Sequence, residues 1–166
     1  MTVHNALVGT GLRDQVKLGA SGKVAGGADI VMRMIQGADF TNAARAMMMA
    51  LGCIQAQRCH TGKCPSGVAT QDPRRTRAVV VEEKSRAVYN FQKATVQQAV
   101  RLMASMGVSD PAELNPAMLR RNVSPTEARS YAELYEWLAP GQLLDDAPQG
   151  WAEDWQAASA DTFRPV

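Results

Sequence analysis

Val16, Leu18 and Ala20 alternate with Lys17, Gly19 and Ser21, the period-two pattern of a short strand over residues 16–20. Ahead of it, residues 2 to about 12 read as a short helix that ends in the Gly9–Gly11 region. Behind it, Gly26-Gly27 opens a second helix, in which Ala28, Val31, Met34 and Ile35 recur at helical spacing, and Gly37 stops it. Residues 38–42 predict another short strand, and residues 43–51 a helix that starts directly from it. Strand, crossover helix and strand at this spacing predict a βαβ unit with parallel strands. No glycine or proline occurs between Arg77 and Met106. Val88, Phe91, Thr95, Ala99, Leu102 and Met106 give that stretch one amphipathic face, so it reads as one long or once-broken helix ended by Gly107. Asp110-Pro111 and Asn115-Pro116 read as helix starts. Ser124-Pro125-Thr126-Glu127 has capping-box spacing and predicts a helix from Pro125 to about Leu138, ended by Pro140. Residues 141–166 read as a loosely ordered tail, in which Trp151 and Trp155 share one face of a short helix.

Composition narrows the class. The chain of 166 residues is 46% hydrophobic and 20% charged, with a net charge of +2. That is one domain's length and an ordinary globular balance. No basic run marks a nucleic-acid footprint, and no stretch is apolar for long enough to span a bilayer. The N-terminus MTVHNALVG lacks a signal pattern. Three clustered cysteines, an odd number, argue for a reducing compartment, which makes the expected location cytoplasmic.

Those cysteines, Cys53, Cys59 and Cys64, mark the chemistry. In one continuous helix Cys59 would point well away from Cys53. Gly52, Gly62, Pro65 and Gly67 break the helix and predict a loop that folds the three thiols towards one point. Three readings follow. The thiols are unrelated buried side chains. Alternatively, Cys53, Cys59, Cys64 and His60 hold zinc, although adjacent Cys59 and His60 are poorly placed on one tetrahedral ion and no short CxxC is present. In the third reading they ligate an iron–sulfur cluster, where three thiolates suit a three-iron cluster or one with a non-cysteine ligand. Arg58 and Lys63 would offset the thiolate charge.

The run LGC-x5-C-x4-CPSGVATQDP resembles the cluster loop of the glutamate synthase family, in the flavin-binding domain of its large subunit. ASGKVAGGADI and GADFTNAARAMMMALGC upstream and SPTEARSYAELY downstream extend the resemblance over about residues 5–144. It implies an α/β fold: a C-terminal fragment of a TIM (β/α)8 barrel with about two parallel strands, followed by a mostly helical region. Residues 1–74 would be the last βα units with the cysteine loop, 75–144 a helical extension, and 145–166 the tail. Cys53, Cys59 and Cys64 would hold a [3Fe–4S] cluster beside FMN.

The loops after the two strands are candidates for the flavin phosphate, as such loops are in many barrels. In Ser21-Gly22-Lys23 the glycine admits backbone N–H groups and the lysine adds charge. In Asn42-Ala43-Ala44-Arg45 the N–H groups of a helix start face the ligand. Without the resemblance the same residues read equally as a turn with a solvated lysine and a plain helix start. The implied activity is formation of L-glutamate from 2-oxoglutarate and ammonia or glutamine nitrogen, and no catalytic residue is assigned. A barrel takes about 250 residues, and the portions carrying the other flavin contacts, the 2-oxoglutarate site and the glutaminase nucleophile are absent. The expectation is therefore a fragment or split subunit, inactive alone, that needs the upstream barrel portion and an electron-donor subunit or ferredoxin. The competing expectations are a zinc-binding assembly module and an inactive truncation.

The remaining residues draw plainer expectations. Met47, Met48 and Met49 pack, His4 sits on the surface of the first helix, and His60 is a solvated loop residue. Gln71 and Asp72 tie the loop down through side-chain hydrogen bonds, and Glu82-Glu83-Lys84 forms a solvated helix face.

Overall fold

The computed structural model describes residues 1–162; the last four residues of the expected tail lie outside the described residues. In chain order the elements are α1 (Thr2–Gly9), β1 (Gly19–Ser21), α2 (Gly27–Ile35), β2 (Phe40–Asn42), α3 (Ala44–Ala50), α4 (Pro73–Thr76), α5 (Val81–Ser105), β3 (Arg120–Ser124), β4 (Glu127–Ser130), α6 (Tyr131–Leu134), α7 (Gln142–Asp145) and α8 (Gln149–Ala157). β1 and β2 form a small parallel sheet with α2 as the connection, so the predicted βαβ unit is present. The chain folds as two compact units.

The first unit comprises Met1–Gly19, Met32–Phe40 and the described chain from Ala112 onward. Here side chains shorten the first strand from its predicted start at residue 16. Arg13 Nη1 donates to the Val16 carbonyl at 2.9 Å, and the Leu18 N–H donates to Asp39 Oδ2 at 2.7 Å. Backbone groups that alternation assigns to a ladder are thus bonded by side chains, and the strand begins only at Gly19. Arg13 also binds Asp39 at 2.9 Å and the Gly37 carbonyl at 3.1 Å. Its Nε donates to His4 Nδ1 at 2.9 Å. His4 is therefore half-buried, with its ring edge-on to Trp137, and not the surface residue its position in α1 predicts. Burial and the Arg13 charge lower its pKa.

Asp39 is held below the usual carboxylate range, first by the Leu18 N–H and then by Arg13. A depressed carboxylate stabilises the fold above its unfolded pKa and loses that contribution as pH falls through the folded value. Asp39→Asn keeps an acceptor for Leu18 but removes the charge. Urea unfolding should show it less stable than the parent above about pH 4, with the gap closing in more acidic buffer. A pH-independent gap would show that geometry, not charge, carries the effect.

Residues 120–138 correct the sequence reading. The helix predicted from Pro125 is an antiparallel hairpin, with Arg120 opposite Ser130, Arg121 opposite Arg129 and Asn122 opposite Ala128. Capping-box spacing occurs twice here, and the second copy is the one used. Ser130 Oγ accepts from the Glu133 N–H, and the Glu133 carboxylate accepts from the Ser130 N–H, at the start of α6. All five residues of β3 are exposed in the hairpin. Ser130→Ala should cost about 1 kcal/mol in urea unfolding, whereas Ser124→Ala should be near neutral. Equal costs would contradict the reassigned cap. Asp110-Pro111 and Asn115-Pro116 open only single 3₁₀ turns, the second capped by the Asn115 side chain. Trp151 and Trp155 do lie in one short helix, α8.

The second unit holds Ala20–Val31 and Thr41–Pro111. α5 is the long helix read from the sequence, with Thr95, Ala99 and Met103 buried. The start of α2 approaches α5 so closely that a methyl on Gly27 would sit 2.3 Å from the Ala99 backbone nitrogen. The Gly27 N–H meanwhile donates to Gln98 Oε1 at 2.8 Å. Gly27→Ala has to push two backbones apart, an overpacking cost of about 1–3 kcal/mol. The expected result is a lower urea midpoint with unchanged slope, and a stable variant would refute the close packing. Among the described residues no large side chain is fully buried, and Phe40 remains 51% exposed. No helix of the described residues is long and apolar enough to cross a membrane.

Candidate cofactor site

Two features of the second unit gather the predicted site residues. Ser21, Gly22, Lys23, Asn42, Ala43, Ala44 and Arg45 all line one open cavity of about 670 Å³. β1 and β2 run side by side, so the loops leaving them emerge at the same end. The conformation of these loops suits an anion. Lys23 is a non-glycine residue at φ +56, in the left-handed region where side chains are strained. Its neighbour Gly22 faces open space. α3 starts at Ala44 with no side-chain cap, which leaves its first N–H groups without a capping acceptor. The sequence reading missed the apolar wall. Val24, Met49 and Phe91 also line the cavity. Phe91 belongs to the helical stripe recognised along α5, but periodicity does not say which neighbour that stripe faces.

The cysteine loop follows α3, which ends as predicted: Gly52, at φ +100, turns the chain away. Lys84 is not simply solvated. It is half-buried, and its ammonium lies 3.1 Å from where a Gly52 Cβ would be. Cys53, Cys59 and Cys64 share the lining of one small cavity with Met48 and Ser66. Cys64 is buried, Cys53 half-buried and Cys59 exposed. Among the described residues no group of three or more His, Cys, Asp or Glu side chains is arranged to hold a metal ion. His60 is exposed, as a solvated loop histidine should be.

Polar groups already contact two of the sulfurs. The Gln55 N–H lies 3.4 Å from Cys53 Sγ, and the Ser66 hydroxyl 3.3 Å from Cys64 Sγ. The Ser66 hydroxyl, with the Ala69, Ser66 and Val68 N–H groups, lowers the Cys64 pKa to about 7. The segment after the cysteines ties the loop down. The Thr70 hydroxyl donates to the Gly62 carbonyl and accepts from the Asp72 N–H at 3.1 Å. Asp72 in turn caps α4 through the Arg74 N–H and pairs with Arg75 at 3.3 Å.

Comparison with known proteins adds an independent finding. A family model described as a conserved region in glutamate synthase matches residues 1–109. The glutamate synthase large subunit-like protein YerD of Bacillus subtilis is 45% identical over 101 residues, covering 61% of this chain and 19% of that protein. The ferredoxin-dependent glutamate synthase of Pyropia yezoensis is 41% identical over 106 residues, covering 63% of this chain and 7% of that protein. An archaeal glutamate synthase (NADPH) of Methanocaldococcus jannaschii is 35% identical over 99 residues, 60% of this chain and 19% of its own length. The chain thus spans a small part of each relative.

Proposed function

The chain belongs to the glutamate synthase family, and from that premise we propose that it supplies cofactor-holding elements of a glutamate-synthase-type flavin and iron–sulfur oxidoreductase. In this reading the βαβ unit is the end of a TIM barrel. Ser21, Gly22, Lys23, Asn42, Ala43, Ala44 and Arg45 hold the phosphate end of FMN, and Cys53, Cys59 and Cys64 hold a [3Fe–4S] cluster. The rest of the barrel comes from an upstream portion or subunit, and electrons come from a donor subunit or ferredoxin. The compartment is the cytoplasm.

The observation that carries the proposal is the pairing of two differently built sites within one unit. The first has the parts of a phosphate cradle: an uncapped helix start, a glycine turn and two cations. The second has three thiols on one cavity, with the Gln55 N–H donating to one sulfur and the Ser66 hydroxyl within hydrogen-bond distance of another. Such donors tune cluster thiolates in iron–sulfur proteins. The cavity, about 10 Å³, has room for about one water, so the loop must rearrange around a cluster. Three bare thiolates repel one another, and a cation is what draws them together.

When bound, flavin and cluster supply the redox chemistry, transferring electrons to the reduction that forms glutamate. The residues here position and tune. Lys23 and Arg45 neutralise phosphate charge, and Ser66 with the 66–69 N–H groups lowers the Cys64 pKa and so favours its thiolate form. Arg58 and Lys63 offset the charge of the ligand set. The test is anaerobic reconstitution of the 166-residue chain with ferrous iron and sulfide. Protein-bound iron and sulfide with broad visible absorption supports the proposal, and preferential retention of colourless zinc would overturn it in favour of a metal-binding assembly module.

A further inference from the structure

Every nitrogen of the Arg13 guanidinium is engaged at one junction of the first unit. Nη1 donates to the Val16 carbonyl at 2.9 Å, and Nη2 to the Gly37 carbonyl at 3.1 Å and to Asp39 Oδ2 at 2.9 Å. Nε donates to His4 Nδ1 at 2.9 Å. Asp39 also accepts from the Leu18 N–H at 2.7 Å, while its own N–H donates to the Leu18 carbonyl at 2.8 Å. Arg13 thereby fastens α1 to the residues immediately before β1 and β2. This clasp sets a condition on His4. An arginine Nε can only donate, so Nδ1 must accept, which makes the ring neutral with its proton on Nε2. The ring has little room to turn. Gly37, at φ +100, lies against it so closely that a side chain there would overlap the imidazole. Trp137 meets the ring edge-on, with 6.3 Å between centroids.

We propose that His4 is a proton-operated switch of the first unit. As a neutral acceptor it closes the clasp. Protonated at Nδ1 it becomes a donor, and the acceptor at hand is the Gly37 carbonyl that Arg13 holds. Two donors of like charge then face each other across the former hydrogen bond, so His4 and Arg13 separate and α1 is released from the approach to the strands. Arg13 and the Met1 ammonium oppose protonation, whereas Asp39 and the Gly37 hydrogen bond favour it. Lys17 reaches Asp39 at 3.7 Å, and Arg33 acts on the Met1 ammonium. On the Trp137 segment the Glu136 carboxylate lies against Gly150. Burial is the largest influence, and the balance keeps the ring neutral. The unfolded chain therefore takes up the proton first as pH falls. The contribution of the clasp is complete above about pH 6.5 and is lost as pH falls through the lower, folded value. Asp39, held below the usual carboxylate range, is still charged when that loss begins.

The test is NMR of the full 166-residue chain between pH 7.5 and 5. Long-range ¹H–¹⁵N spectra should show His4 at pH 7.5 with its proton on Nε2 and Nδ1 bare. On acidification the hydrogen-exchange protection factors of the Leu18 and Asp39 N–H groups should fall with the midpoint of the His4 titration, about tenfold for each unit by which the fold lowers that midpoint. Those of Thr95 and Ala99 in α5 should stay within about twofold. His4→Asn keeps an acceptor close to the place of Nδ1 but has no proton to gain, so protection at Leu18 and Asp39 should become insensitive to pH over this range. Arg13→Gln removes the facing charge and should raise the His4 midpoint. A proton found on Nδ1 at pH 7.5 overturns the proposal. So does loss of protection with a midpoint apart from that of His4, or an equal loss in α5, which would mean global unfolding. Undiminished pH sensitivity in His4→Asn also overturns it. Should that variant not fold, the tautomer and the coincidence of midpoints in the parent chain still decide.

Discussion

Replacing any one of Cys53, Cys59 or Cys64 by serine should reduce protein-bound iron about tenfold or more after reconstitution, since a three-thiolate ligand set has no spare cysteine. Cys64→Ser should do most harm. Cys64 is the buried member, and the Ser66 hydroxyl and nearby backbone N–H groups lower the pKa of its thiol. A serine oxygen would fill the same place with a far weaker ligand. Ser66→Ala keeps all three cysteines and removes one donor. Iron should be retained, but with a shifted reduction potential. His60→Ala should leave the iron content unchanged, because that ring is exposed and the proposed ligand set does not include it. Iron measured per chain decides the matter. Full iron in Cys59→Ser together with loss in His60→Ala would overturn the assignment.

Flavin should respond to completion of the barrel by orders of magnitude. Ser21 to Lys23 and Asn42 to Arg45 on the cavity are assigned to the phosphate end of FMN, while the isoalloxazine ring needs the barrel mouth. Burying an aromatic ring of about 150–250 Å² at about 25 cal/mol/Å² is worth roughly 4–6 kcal/mol, or a factor of about 10³ or more. The 166-residue chain should therefore bind FMN weakly, and addition of an upstream barrel portion from a relative, fused or in trans, should restore tight binding. Within that completed protein, Lys23→Ala and Arg45→Glu should each weaken FMN about tenfold, the scale of a lost charge-assisted hydrogen bond, and leave riboflavin nearly unaffected. Isothermal titration with both ligands separates the cases. Equal losses would remove Lys23 and Arg45 from the phosphate assignment. Tight FMN binding by the chain alone would show that these residues complete a site without the barrel.

Local signals were legible where the chemistry was local. The βαβ unit follows from two short apolar runs at crossover spacing. The ends of α2, α3 and α5 follow from the glycines that succeed them, and the cysteine loop from the glycines and proline that forbid a helix there. The strand-to-helix junctions could be read from the residues, while their assignment to flavin came from the family resemblance. Their gathering onto one cavity follows from the parallel strands.

Other features required neighbours distant in sequence. Ser124-x-x-Glu127 and Ser130-x-x-Glu133 are equal as motifs, and nothing near either one chooses between them. The choice lies with Leu119 and Trp137. The Tyr131 N–H donates to the Leu119 carbonyl at 2.7 Å, and Trp137 Nε1 donates to the Tyr131 carbonyl at 2.9 Å, which fixes the helix start after Ser130. Arg13 and Asp39, twenty-six residues apart, likewise set where β1 begins and draw His4 inward. The sequence by itself determined the βαβ unit, the long helix α5, the stops of α2, α3 and α5 and the identity of the three thiols, because these depend on backbone freedom and side-chain chemistry within a few residues. Only the tertiary structure decided which cap is used, where the first strand starts and which side chains wall the cavity, because each is settled by hydrogen bonds or packing between segments that periodicity cannot relate.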